Sequence, residues 1–202
     1  MPDGVLSAPL LIAGGILAAG ALAVALRRLD YERIPQAALL AAAFFISSLV
    51  SVPVGPSSVH LLLNGFMGLV LGWVAVPAIF VALLLQSLFF GFGGLLVLGV
   101  NTLNMALPAL VCAALFGGLL RARKPLRPFW IGAAAGATGV LLTGAMVAFA
   151  LALSGQAFVP AAKVILVTYL PLSIAEAAVT GAAVAFALRV APELLLVENP
   201  HA

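Results

Sequence analysis

The sequence predicts an all-α integral membrane protein, a bundle of seven transmembrane helices, and three observations carry that prediction. Of the 202 residues, 65% are hydrophobic and 7% are charged, where a soluble domain carries about 25% charged residues. The apolar residues fall into seven stretches, each near the roughly 20 residues that a helix needs to cross the hydrocarbon core. The basic residues collect between alternate stretches, which is how cytoplasmic loops are marked.

The first stretch, residues 8–27, follows MPDGVLS. That start lacks the basic region of a signal peptide, and Asp3 suits a translocated end, so the stretch is expected to remain as an anchor. Gly15, Ala19 and Ala23 form a small-residue ladder that lets a neighbouring backbone approach. The second stretch, residues 35–53, follows Arg27, Arg28 and Arg33. The third, residues 57–73, is short, glycine-rich and contains Asn64. It is expected as a tilted or broken helix, tolerable only where protein buries its backbone. The fourth, residues 74–92, runs into GFGG at residues 91–94, a glycine-rich bend with no nucleotide motif around it.

The fifth stretch, residues 101–120, holds the single cysteine, Cys112, so neither an internal disulfide nor a cysteine metal cluster is possible. The sixth covers residues 129–153 and the seventh residues 163–189. Glu176, in PLSIAEAAVTG, is the one carboxylate within a span. Two roles fit it: a gating or ligand-orienting group, or an intramembrane polar contact to a Ser, Thr or backbone carbonyl. The second is favoured, because the position reads as far deeper than His60. Residues 1–190 form one transmembrane domain, and residues 191–202 are a short cytoplasmic tail.

With seven spans, Arg27, Arg28, Arg33, Arg121, Arg123, Lys124, Arg127 and Arg189 share one side, and only Lys163 lies on the other. The positive-inside rule then places the N-terminus outside and the C-terminus in the cytoplasm. A six-span arrangement splits the basic groups. The seven-span topology brings three polar segments to the outer face: the N-terminal PDG, the second loop GPSSVH and the fourth loop GVNTLNM. External turns and helix caps explain such residues as well, Asn101 and Asn104 being good cap types. His60 is harder to dismiss. An ionisable residue at membrane depth is by default a functional-site candidate, and imidazole is the commonest metal ligand. The alternative is an interfacial helix cap.

Several functions are excluded. There is no GxxxxGK[ST], so the chain has no ATPase of its own, and neither HExxH nor GxSxG occurs. Paired intramembrane acids, an internal repeat of the transporter kind and an arginine ladder are also missing. What remains is a bundle with a polar outer patch and no energy source, which suggests a capture subunit driven by partner proteins.

PDGVLSAP at residues 2–9, VPVGPSSVHLLLNG at 52–65 and GVNTLNMALPAL at 99–110 closely resemble, in that order and over nearly the whole chain, the CbiM/NikM family. These are the substrate-capture (S) components of energy-coupling-factor transporters for cobalt and nickel. The resemblance implies no cofactor, but a transported Co²⁺ or Ni²⁺ bound at the outer face largely by nitrogen. It implies a transmembrane coupling protein (T component) and two cytoplasmic ATPases as partners, with a small accessory membrane subunit as a further one. Membrane lipid surrounds the chain, and nucleic acid is not a partner. The setting is a bacterial or archaeal cell membrane, and one use of the metal is cobalamin biosynthesis.

Family members begin Met-His-Ile-Pro-Asp-Gly. The terminal amine, the next backbone nitrogen and that histidine's imidazole bind the metal, together with a loop histidine that His60 matches. Nitrogen donors in a tetragonal array suit Ni²⁺, and imidazole-rich sites accept Co²⁺. This sequence reads Met1-Pro2-Asp3-Gly4. Pro2 has no N–H, so Met1 and His60 are the metal-binding candidates left, and weakened binding is expected. Asp3, Ser58, Asn64, Asn101 and Asn104 are the candidates to orient these ligands and hold the N-terminal loop. Two other classes stay open: a stand-alone divalent-metal channel or secondary carrier, and a membrane assembly protein without a substrate.

Overall fold

Prolines set the helix starts. Pro9 lies in the first turn of α1 (Ala8–Arg27), Pro128 opens α6 (Pro128–Ser154), and Pro160 lies in the first turn of α7 (Val159–Val190). At these positions the missing N–H would have had no intrahelical partner. The other helices are α2 (Ile34–Leu49), α3 (Asn64–Leu71), α4 (Ala75–Phe90), α5 (Leu98–Leu120) and a short α8 (Glu193–Leu196). The computed structural model describes residues 1–49, 51–54, 57–121 and 127–196, with the backbone alone for residues 51–54, 57–59 and 196.

Among the described residues, five helical stretches are long and apolar enough to cross a membrane: Ala8–Arg27, Asn64–Phe90, Leu98–Leu120, Pro128–Ser154 and Gln156–Val190. One of these is not a single rod. At Gly72 (φ 55°, ψ −125°) the chain turns into a short 3₁₀ segment, Gly72–Val74, between α3 and α4. Near the turn, Arg33 Nη2 donates to the Val70 carbonyl at 2.7 Å and the Arg28 guanidinium lies 4.8 Å from the Trp73 ring centroid. At the other end, Phe90 packs on Phe45 at 5.6 Å between ring centroids, and His60 and Gln86 line one cavity. A straight 27-residue helix would hold its ends about 40 Å apart, so Asn64–Phe90 doubles back at Gly72.

Sequence and structure part in three places. The second stretch stops at Leu49, and Ser51–Val54 pairs antiparallel with Ser57–His60, Ser51 opposite His60. An all-α reading therefore needs this two-stranded ribbon (β1, β2) added. Alternation is weak there and Pro53 sits inside, so no period-two signal marks it. The third stretch is accordingly ribbon first and helix only from Asn64. The segment GVNTLNM, read as a loop, is helical from Leu98, and the link before it is residues 91–97.

Glycines let the helices close up. A Cβ at Gly136 would lie 2.6 Å from the Glu176 carbonyl on α7, and one at Gly68 would overlap the Ala109 carbonyl on α5. The ladder expected on α1 holds only at its start: a Cβ at Gly99 on α5 would lie 2.8 Å from Gly15 Cα, whereas Ala19 and Ala23 are exposed and the buried small residues of α1 are Gly14, Ala18 and Ala25. Overpacking of a tight contact costs about 1–3 kcal/mol. Gly68→Val is thus expected to lower the melting temperature in detergent by several degrees, while Gly118→Val on the open face of α5 leaves it near wild type. Equal melting temperatures for the two would rule out the close α3–α5 contact. The described part of the tail packs on the bundle, with Leu195 buried and the Leu194 carbonyl 3.5 Å from Gln36 Nε2.

Candidate metal site

The N-terminal loop folds back onto the start of α5. The residue ahead of that helix, Val97, has no side chain able to cap it. Asp3 supplies the missing acceptor, its Oδ1 taking the Val97 N–H at 3.1 Å, and an acid beside a helix N-terminus is favourable. Gly94 passes so close that a Cβ would overlap the Asp3 carboxylate. Four residues after Val97, one turn into α5, the same face offers Asn101. The Met1 amine donates to Asn101 Oδ1 at 3.1 Å, and Asn101 Nδ2 donates to the Met1 carbonyl at 3.0 Å. The side-chain amide thereby grips both ends of residue 1. Ser7 N–H, donating to Ser154 Oγ at 3.3 Å, fastens the loop to α6.

His60 ends the ribbon. Its Nδ1 lies 3.1 Å from the Leu61 carbonyl. A carbonyl only accepts, so Nδ1 carries the proton and Nε2 keeps the free lone pair. Burial lowers the His60 pKa, the Leu61 bond raises it, and the positive charge of the terminal amine lowers it again. The Met1 amine is in turn lowered by burial, with Asp3 opposing. Two nitrogen bases within electrostatic reach of each other are thus both pushed toward the neutral form that binds metal.

A cavity of about 100 Å³ opens here, lined by His60, Asn101, Gln86, Gly93, Gly94 and Met105, with Leu83, Phe92 and Leu98 completing it. The backbone just past His60 is held from α7. Leu62 N–H donates to Glu176 Oε1, and Leu63 N–H donates to the same oxygen at 3.0 Å. Leu63 sits in the left-handed region (φ 50°), a conformation that costs a non-glycine residue energy and that these contacts hold in place.

Met1, Asp3, His60 and Asn101 therefore come together. Other candidates do not reach the cavity. Asn64 is fully buried and donates to Thr143 Oγ1 at 2.8 Å and to the Met105 carbonyl at 3.3 Å, tying α3 to α6 and α5. Asn104 is buried a turn deeper than Asn101 and does not line the cavity. The side chain of Ser58 lies outside the described residues, as do Arg123 and Lys124. Neither asparagine of α5 is its cap, since Val97 holds that place. Glu176 is not remote from His60: its carboxyl grips the backbone two and three residues further on, where a Ser, Thr or carbonyl partner was expected. Among the described residues, no three His, Cys, Asp or Glu side chains converge on a metal position. Sequence reading missed Gln86 and, though it read GFGG as a bend, gave that bend no place in the site. Gln86 had a signal, as the lone amide within an apolar stretch; the bend had none beyond its glycines.

Comparison with known proteins adds an independent line. Residues 1–194 match the family model CbiM, described as the cobalt uptake substrate-specific transmembrane region. A Haemophilus influenzae protein named for metal transport is 42% identical over 197 residues, with 96% of each chain covered. The cobalt transport protein CbiM of Sorangium cellulosum is 34% identical over 175 residues, covering 80% of this chain and 76% of that one. A crystal structure of a truncated transition metal transporter superposes with a TM-score of 0.79 at 25% identity, over 94% of this chain and 98% of that chain.

Proposed function

The chain belongs to the CbiM family of cobalt-uptake transmembrane proteins, a multi-pass component of cobalt or nickel transport in the prokaryotic cell membrane, and we propose that it is the substrate-capture (S) subunit of an energy-coupling-factor importer of Co²⁺ or Ni²⁺. The observation that carries this reading is the grip of Asn101 on Met1 beside the cavity that His60 lines. It brings an amine to the edge of the cavity that the imidazole lines. The cargo ion takes these two nitrogens as ligands. Asn101 and Asp3 hold the loop, and the Nδ1–H bond to Leu61 aims the histidine's other nitrogen. A metal-bound amine keeps N–H groups, so the Asn101 contact survives binding.

Energy comes from elsewhere. The chain carries no phosphate-binding loop, so a coupling protein and two ATPases drive the rearrangement that frees the ion inward. Support for partners comes from a relative, the fused nickel transport protein NikMN of Rhodobacter capsulatus. It is 41% identical over 97 residues, a match that covers only 28% of that protein's length. A carrier working alone would need an intramembrane proton path, and Glu176 is committed to two backbone amides.

Seven passages, N-terminus outside and C-terminus in the cytoplasm, fit best. The doubling at Gly72 makes α3 and α4 separate passages, the ribbon completing the first. Arg28, Arg33, Arg121, Arg127 and Arg189 then share the end away from Met1. Cysteines placed at the exposed positions Gln156 and Glu193 test this, because Cys112 is fully buried and stays silent. A membrane-impermeant maleimide on intact cells is expected to label Gln156→Cys and spare Glu193→Cys; the reverse pattern would sink the topology.

A further inference from the structure

Gln86 is 5% exposed, and its Nε2 has no hydrogen-bond partner among the described residues. It nevertheless lines the cavity that holds His60 and Asn101. A buried amide left unpaired is costly, and most such groups in native proteins are paired. A lone amide in an apolar helix, kept at that cost and set against a cavity, points to a partner that arrives with the cargo.

The donors on the page say what that partner is. Ni²⁺ and Co²⁺ take four to six ligands, and the chain offers the Met1 amine and His60. Asn101 is already spent on Met1. The rest of the cavity wall is Leu83, Phe92, Gly93, Gly94, Leu98 and Met105, none of them a good ligand for these ions. Roughly 10–15 Å³ admits one water, so about 100 Å³ takes an ion with several waters attached, and is tight for a bulky organic chelator.

We infer that the metal is bound still partly hydrated and that Gln86 is a cargo-contacting residue, its side-chain amide hydrogen-bonding a water that remains on the ion. The amide oxygen accepts from that water, whose protons the cation makes stronger donors, and the unpaired Nε2–H donates to a neighbouring water carried in with the ion. This rests on the metal-capture reading above and adds the residue that recognises the oxygen side of the ion's coordination shell.

The test uses the purified full chain in detergent, titrated with NiCl₂ and CoCl₂. Gln86→Met keeps length and volume and removes the amide. Metal-free Gln86→Met is expected to melt at or above the wild-type temperature, because an unpaired polar group has been taken out of the interior. Its affinity for both ions is expected to fall about 10–100-fold, the usual loss when a group holding a metal's ligand is removed, and the visible spectrum of bound Co²⁺ is expected to shift. Gln86→Glu keeps an oxygen acceptor and is expected to bind within a few-fold of wild type. Wild-type affinity in Gln86→Met overturns the proposal. So does a drop in its metal-free melting temperature that accompanies the affinity loss, since that marks a structural role. If wild type binds neither ion, or binds both equally well after His60→Ala, the metal-capture reading itself fails and takes this proposal with it.

Discussion

Replacing His60 by alanine is expected to lower Ni²⁺ and Co²⁺ affinity by on the order of 100-fold or more while leaving the metal-free protein folded. Groups that only orient a ligand are worth 10–100-fold in affinity, so losing one of two protein nitrogens costs at least the upper end of that range. The fold is spared because, among the described residues, the half-buried ring bonds only the adjacent Leu61 carbonyl and ends a ribbon, not a helix. The same two nitrogens fix the pH dependence. Both are bases with lowered pKa values, and both must lose a proton to bind metal. Binding is therefore full at and above pH 8.0, the ordinary value of the amine, and is lost on acidification as first the amine, lowered from 8.0, and then His60, lowered from 6.5, take up their protons. Inserting His-Ile after Met1 adds an imidazole and an ionisable amide and is expected to tighten binding by a comparable factor. Calorimetric titration of the three proteins across this pH range is the measurement. Undiminished affinity in His60→Ala would place the site elsewhere.

The helices were legible because composition and span length are strong signals in a membrane protein. Every apolar stretch contains a helix. The ribbon was not legible: in SVPVGPSSVH apolar and polar residues do not alternate cleanly, and its pairing depends on α7 holding the residues that follow. The site was half legible. His60 and Asn101 stood out as polar residues in apolar surroundings, and Met1 and Asp3 through the family resemblance. Asn64 stood out equally and proved to be a tie between helices, because a buried amide surrounded by backbone carbonyls looks the same in sequence as one facing a ligand. Only the fold separates them. Gln86 belongs to the opposite case, an amide within a helix expected simply to cross the membrane that turns out to face the cavity. The distance along the chain from Glu176 to Leu62 hid the contact that matters most for the histidine's position.

That contact sets the second large effect. Glu176→Ala leaves the buried N–H groups of Leu62 and Leu63 without their acceptor, and each orphaned amide costs about 1–3 kcal/mol. The loss falls on Leu62 and on Leu63, whose left-handed backbone is then held on its C-terminal side by the Met67 N–H bond to its carbonyl, and the slack passes the other way, to His60 three residues earlier. Two results are expected together: a melting temperature several degrees lower, and metal affinity reduced about tenfold or more although no ligand atom has been touched. Glu176→Gln separates charge from geometry. Its amide oxygen still accepts from both N–H groups, so stability and affinity return most of the way to wild type if hydrogen bonding to the loop is the function. Hydrogen exchange locates the damage, with faster exchange at Leu62 and Leu63 in Glu176→Ala than in Glu176→Gln. Unchanged exchange at those two amides, or a Glu176→Ala protein that binds metal as tightly as wild type, would show that α7 does not position the histidine. A Glu176→Gln protein as impaired as Glu176→Ala would instead assign the carboxylate a role in moving charge, the one function that a tie between backbone amides cannot perform.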